Sequence, residues 1–152
     1  MLMLLFHVKD NRFACIVEQI VEIVPKIQLH PLPESPPYIA GVINYRGDTI
    51  PVVDLCQLLE NDRCFDRLHT RIIVVQSKDH RYLLGVIAER VTEMLDIDPL
   101  KFRRSEIKFE KFPYLNGVYT ERDLTICLFL IEEFIHDMKK HLFGGRNDQR
   151  IS

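Results

Sequence analysis

The sequence predicts a mostly β protein made of two similar units packed together, with a short helix after a central hairpin and a second helix at the C-terminal end. Three observations carry this. Short alternating or β-branched apolar segments recur between turn residues. Helical readings arise in only two places, after Asp54 and over Ile131–Phe143. The order of segments in the first half of the chain is repeated in the second.

Leu2 to Val8 is apolar and strand-like, and Lys9-Asp10-Asn11-Arg12 supplies a polar turn. Phe13, Cys15 and Val17 then alternate with smaller or polar positions, as in a second strand. Val21–Leu32 is rich in β-branched residues and reads as extended, with a bend at Pro25. Pro31, Pro33, Pro36 and Pro37 make a stiff, non-helical connector, because proline fixes φ and removes a donor. Ile39–Val53 places two strand-like arms around Arg46-Gly47-Asp48, a hairpin with Gly47 at the turn. Asp54 is placed to accept an amide from the first turn of a helix, and Leu55, Leu58 and Leu59 give that helix an apolar face. Ile72–Val75 and Tyr82–Ala88 are strands on either side of the Lys78–Arg81 turn, and Leu124–Leu130 is another. Ile131–Phe143 carries apolar residues at helical spacing, with Gly144 and Gly145 placed to end it. Residues 146–152 form a polar, frayed tail.

The repeat is detailed. Pro37-Tyr38-Ile39-Ala40-Gly41-Val42 matches Pro113-Tyr114-Leu115-Asn116-Gly117-Val118, and the register continues so that Arg46 falls on Arg122 and Ile50 on Ile126. Lys9–Phe13 aligns with Lys78–Tyr82, and Glu18–Val24 with Glu89–Leu95. Matches in one order point to two halves, roughly 1–70 and 71–145, each suited to a small closed or nearly closed β-barrel. Barrels of that size have thin cores, so a single 1–145 domain in which they share apolar surface is expected.

Composition narrows the function. Twenty Lys+Arg oppose 22 Asp+Glu, a formal charge of −2, which gives no overall pull toward nucleic acid or anionic lipid. The longest apolar runs, Met1–Phe6 and Ile126–Ile131, are far short of the about 20 residues of a membrane-spanning helix. The apolar start lacks a basic leader and a small-residue cleavage site, so export is not expected. In the reducing cytoplasm that follows, the Arg46-Gly47-Asp48 adhesion-type tripeptide is a coincidence and disulfides are not expected. Cys15 and Cys127 lie in apolar runs as small buried hydrophobes, and Cys56 with Cys64 is the pair that a redox function would use. No metal-ligand spacing, Walker loop, dinucleotide fingerprint or nucleophile with a base is present, so neither cofactor nor catalysis is expected.

Two segments carry candidate binding chemistry. Arg46, beside the hairpin turn, is a five-donor cation on a rigid mount. Lys101–Phe112 alternates basic residues with phenylalanines, a pattern that suits either single-stranded nucleic acid or an edge strand with one packed face.

Val21-Glu22-Ile23, the proline-rich connector, Gly41-Val42-Ile43-Asn44-Tyr45-Arg46-Gly47 and Ile50-Pro51-Val52-Val53-Asp54-Leu55 together resemble the CheW family of chemotaxis coupling proteins, over about Leu2 to Phe143. The resemblance implies two five-stranded SH3-like barrels and a non-catalytic adaptor of two-component signalling. It implies as partners the cytoplasmic tip of a methyl-accepting chemoreceptor, received between the barrels as a helical hairpin, and the regulatory domain of a CheA-type histidine kinase. Neither nucleic acid nor direct membrane insertion is implied. The location it implies is the cytoplasm, at membrane-associated receptor arrays. Carried over by position, Ile20, Glu22, Gly41, Val42 and Arg46, with Val17 as a further candidate, match places the family uses to bind partners or to shape that surface. Three positions depart from the family pattern. Tyr45 stands where Leu is common, Glu89 near a place often held by Asp, and Leu128-Phe129-Leu130 leaves the last helix without an acidic cap. With these departures the chain looks more like coupling proteins of alternative chemosensory systems, such as a Wsp-type surface-sensing pathway whose output is a diguanylate cyclase.

Overall fold

The computed structural model describes residues 1–103 and 111–143. Among them the elements run β1 (Leu2–Val8), β2 (Asn11–Ile16), β3 (Ile20–Pro25), β4 (Ile39–Tyr45), β5 (Asp48–Asp54), α1 (Leu55–Glu60), β6 (Arg71–Gln76), β7 (Leu83–Asp96), β8 (Leu115–Glu121), β9 (Leu124–Phe129) and α2 (Ile131–Met138). Val17–Gln19 and Pro99–Lys101 are 3-10 turns, and a π-helical turn, Lys139–Phe143, follows α2. The mostly β expectation holds. Gly144, Gly145 and the tail 146–152 lie outside the described residues.

The strands form two five-stranded sheets that share β7. One runs β7-β1-β2-β9-β8 and the other β3-β6-β7-β5-β4. Residues Leu83–Ala88 pair with β6, and the chain then passes over to pair with β1 from Glu89 to Asp96. The change of sheet occurs at a bulge. Leu5 opposes Glu93 and His7 opposes Glu89, so β7 carries extra residues there, and Arg90 takes a left-handed φ of 48°. The sequence gives strand signals only for Tyr82–Ala88. From Glu89 onward only Glu89 and Val91 of the strand are buried, so this stretch is held by its backbone ladder and not by an apolar stripe.

The repeat and the sheets divide the chain differently. β1 and β2 come from the first repeat and join β7, β8 and β9 from the second. β3, β4 and β5 come from the first and join β6 and β7 from the second. The two repeats therefore exchange strands, and each sheet is completed by a parallel pair, β2 with β9 and β5 with β7. Among the described residues no ladder joins β8 back to β7 or β4 back to β3, so neither sheet closes into a full ring.

Burial explains the apolar start. Met3 faces a small core with Ala14, Ile97 and Ile126, while Leu4, Phe6 and Val8 on the other face enter the large core. A strand buried on both faces reads as a continuous apolar run, here Met1–Phe6. The large core joins the second sheet, α1 and α2 to the outer face of the first sheet. Aromatic rings of the first sheet, Tyr114 and α2 cluster within it. Phe6 meets Phe13 at 5.7 Å and Phe129 at 5.8 Å between centroids, and Phe134 of α2 meets both Tyr114 and Phe129 at 5.1 Å. Each such pair adds about 0.5–1.5 kcal/mol to simple burial. As its sequence implies, α2 starts at Leu130 without a side-chain cap, and Glu132 instead accepts from the Gln19 side chain and the Lys78 amide, both at 2.9 Å.

The cysteine expectation needs correction. Cys56 and Cys64 are joined as a disulfide, with Cα atoms 5.1 Å apart. They meet because α1 ends at Asn61 in the left-handed conformation (φ 56°), which turns the chain back across the start of the helix. Asp54 fixes the same return, accepting from the amides of Gln57 (3.1 Å) and Cys64 (3.2 Å). Burial pushes its carboxyl above the ordinary range, against the pull of those amides. Cys15 and Cys127 are free, and burial raises their thiols to about 12 and about 11.

Phe134→Ala tests the shared aromatic core. It should cost ~3–5 kcal/mol in urea unfolding, because the ring is fully buried and touches both Tyr114 and Phe129.

Candidate functional site

Arg46 and Gly47 form a two-residue loop closed by the Tyr45–Asp48 pair, with φ of 50° and 88°. Positive φ at both central residues is the primed turn whose twist suits a hairpin. Gly47 takes its conformation at no steric cost, and a Cβ there would meet nothing within 4 Å. The turn leaves the Arg46 side chain 69% exposed.

Arg46 is nevertheless anchored. Its Nη2 donates to Glu22 Oε1 at 3.0 Å, and its guanidinium lies 5.0 Å from the centre of the Tyr45 ring. The Tyr45 hydroxyl donates to the same Glu22 oxygen at 2.6 Å. That hydrogen bond is the main cause that raises the Tyr45 phenol above its ordinary value. Glu22 comes from β3, which among the described residues pairs only with β6 and is the edge of its sheet. The Tyr45–Arg46–Glu22 cluster thus ties the tip of one hairpin to an edge strand distant in sequence. An exposed ion pair of this kind adds only ~0–1 kcal/mol, so its effect is on orientation more than on stability.

β3 presents an unusual face. Each residue from Ile20 to Val24 is half-buried, four of them aliphatic, and Pro25 ends the strand. Val17 and Ile20 flank its start and pack on the large core from outside. Of the six residues named from the sequence, the structure puts Glu22 and Arg46 in contact. Val42 is half-buried on β4 opposite Pro51, and it pairs with His30 by backbone bonds of 2.8 and 3.1 Å. Gly41 is buried and has a distinct duty. At φ 146° a Cβ on it would lie 2.6 Å from the His30 carbonyl oxygen. Glycine therefore lets the connector lie against β4, and Gly41 shapes the surface from beneath.

A second cluster was not legible in the sequence. The buried Glu89 carboxylate accepts from the amides of Lys9 (3.0 Å) and Phe65. The Lys9 ammonium lies 3.9 Å from Glu89, 3.2 Å from Asp62 and 3.9 Å from the Phe65 ring centre, and it donates to the Arg63 carbonyl. The β1–β2 turn, the bulge of β7 and the loop after α1 meet here. Their sequence signals were the repeat that aligned Lys9 with Lys78 and Glu89 with Glu18, and the place of Glu89 where the family often has Asp. Nearby, a cleft of about 490 Å³ lies between α1 and the first sheet, lined by Val8, Phe13, Leu59, Phe112, Leu115 and Cys127. None of the six named residues lines it.

The basic and aromatic segment 101–112 falls largely outside the described residues, which omit 104–110. Of its described part, Phe102 packs on Tyr119 with centroids 5.7 Å apart, and Arg103 pairs with Val118 through its backbone. Three ligand atoms of Asp54, Cys56 and Cys64 lie within 4.8 Å of one another, but the disulfide engages both sulfurs and the amides engage the carboxylate.

Residues 2–138 match the CheW-like domain. The chain belongs to the CheW-like family. It is 34% identical over 135 residues to the chemotaxis protein CheW of Thermotoga maritima, covering 88% of this chain and 86% of that protein. It is 27% identical to the chemotaxis protein CheW of Helicobacter pylori, covering 86% and 78%. Its fold superposes with a TM-score of 0.76 on the scaffolding protein TtCheW from Thermoanaerobacter tengcongensis, at 23% identity and covering 86% of this chain and 84% of that one. The CheW fold consists of two SH3-like β-barrels, matching the two five-stranded sheets here. Members of this CheW-like family are non-catalytic scaffolds of chemotaxis signalling. Among the described residues no helix is long and apolar enough to cross a membrane.

Two outcomes test this geometry. Gly41→Ala should cost ~2–4 kcal/mol in chemical unfolding, since it adds both a clash and a strained φ. Glu22→Gln should lower the pH at which Tyr45 ionises, read by ultraviolet titration against Tyr45→Phe controls. The sign follows from the raised phenol: its hydrogen bond contributes fully below about pH 10 and is lost as pH rises through the higher folded value.

Proposed function

We propose that this CheW-like chain couples the cytoplasmic tip of a methyl-accepting chemoreceptor to the regulatory domain of a CheA-type histidine kinase. The observation that carries the proposal is the anchored Arg46. A cation projects into solvent from a primed turn, fixed by Glu22 and Tyr45, beside the half-buried aliphatic edge of β3. Such a surface suits a helical or strand-edged partner with an apolar stripe and an acidic rim. Buried aliphatics supply affinity, and the placed charge fixes register and excludes wrong partners. In this proposal Arg46 and Glu22 present the charge, Val17, Ile20 and Val42 supply apolar surface, and Gly41 sets the backbone beneath them.

The setting is the cytoplasm, at receptor arrays. Modest pairwise affinity is sufficient there, because many linked copies raise the effective concentration. The finer placement is an alternative chemosensory pathway of the Wsp surface-sensing kind, supported by Tyr45, Glu89 and the uncapped α2.

Arg46→Glu is the direct test. It should leave the circular dichroism spectrum and melting temperature near those of the parent and weaken binding to the receptor tip or the kinase regulatory domain by more than tenfold. Unchanged binding to both partners would remove Arg46 from the interface.

A further inference from the structure

Cys56 and Cys64 have no part in the surface described above, yet their surroundings are specific. Loop 61–70 is exposed at every residue except Cys64 and Thr70. Those two anchor it from within. Thr70 bonds the loop to itself, through the Phe65 carbonyl and the Arg67 amide. Cys64 bonds it to the body, by the disulfide to Cys56 and by its amide on Asp54. The loop also carries Phe65, on which the Lys9 ammonium sits, and Leu68, which is 83% exposed.

We propose that Cys56 and Cys64 form a reversible thiol–disulfide exchange site, with low-molecular-weight thiols and their disulfides as its reactants. Oxidation of this site fastens loop 61–70 to α1. Cys64 is the entry point. It lies on the exposed loop and a short outward movement uncovers it, whereas Cys56 is fully buried in α1. In the oxidising direction the Cys64 thiolate attacks one sulfur of glutathione disulfide. A mixed disulfide forms and one glutathione thiolate leaves. The Cys56 thiolate then attacks the Cys64 sulfur, closing the internal disulfide and releasing the second glutathione. The protein dithiol loses two electrons and two protons, and glutathione disulfide becomes two glutathione thiols. The reverse sequence opens the bond. Reduction loosens the loop without releasing it, because the amides of Cys64 and Phe65 keep their carboxylate partners, Asp54 and Glu89. Cys15 and Cys127 are poor competitors, since both are free and neither has a bonded second sulfur with which to close an internal disulfide.

The experiment uses the full chain equilibrated in glutathione buffers of varied ratio, quenched in acid, unfolded and alkylated. Four alkyl groups are expected in reduced glutathione and two in glutathione disulfide, with peptide mapping joining Cys56 to Cys64. Return to reduced glutathione should restore four. Trypsin should cut after Arg63 and Arg67 at least tenfold more slowly in the oxidised protein, and Cys64→Ser should show the fast rate in both buffers. Four alkyl groups under every condition would overturn the proposal. So would a bond that reduced glutathione cannot open, cleavage rates independent of redox state, or stoichiometric zinc held by the two thiols in place of a disulfide. All but the Cys64→Ser arm are read on the parent protein, so they stand even if that variant fails to fold. None depends on a receptor or kinase, so failure here leaves the coupling proposal intact.

Discussion

The backbone ladder of β7 is the constraint on which the rest of the molecule depends. One strand gives its first half to the sheet of β3–β6 and its second half to the sheet of β1, β2, β8 and β9. Neither sheet has five strands without it. Because the repeats also exchange strands, removing either sheet would take backbone partners from both repeats. The aromatic cluster around Phe6, Phe129 and Phe134 then packs α2 onto the first sheet, within the core that both sheets line. Most buried apolar side chains thereby fall in one large core, beside the small one around Met3, which meets the size problem of units of about 70 residues.

Polar side chains fix what the ladders leave loose. Glu89, buried at the bulge, gathers the β1–β2 turn and the loop after α1 onto the crossing strand. Asp54 serves both as a helix cap and as a clamp on the returning chain. Glu22 ties the hairpin tip to the β3 edge. In each case one carboxylate accepts two hydrogen bonds and ties its own segment to at least one other. A single side chain thus sets the relative position of two segments, and the surface around Arg46 inherits that order.

Much of this was legible in the sequence, and the exceptions have physical causes. The block from Ile39 to Gln57 announces itself, because a primed turn needs Gly47 and a helix start favours Asp54. Both requirements are local. The repeat correctly paired the two hairpins, but a repeat reports similarity between segments and not which of them hydrogen-bond, so the strand exchange was hidden. The second half of β7 was missed because its exposed residues give no alternation. Glu22 was identified by family position and Arg46 also by its place at the hairpin turn, whereas the hydroxyl that shares the Glu22 oxygen with Arg46 belongs to Tyr45, noted only as a departure from the pattern. The meeting of Cys56 with Cys64 turns on Asn61 adopting a left-handed conformation, which spacing alone does not specify.

The strand exchange also bears on how the chain is made. β2 must pair with β9, at the other end of the sequence, and β1 must await the second half of β7. On a ribosome the first hairpin emerges early, with both faces of β1 apolar and its eventual neighbours not yet synthesised. The sheet of β3–β7 can assemble while the chain is still growing, but its partner sheet forms only after β9 has left the exit tunnel. Such non-local pairing slows folding and lengthens the exposure of sticky strands. The architecture that unites the two sheets therefore leaves the N-terminal hairpin without its neighbours until β7 and β9 have been made.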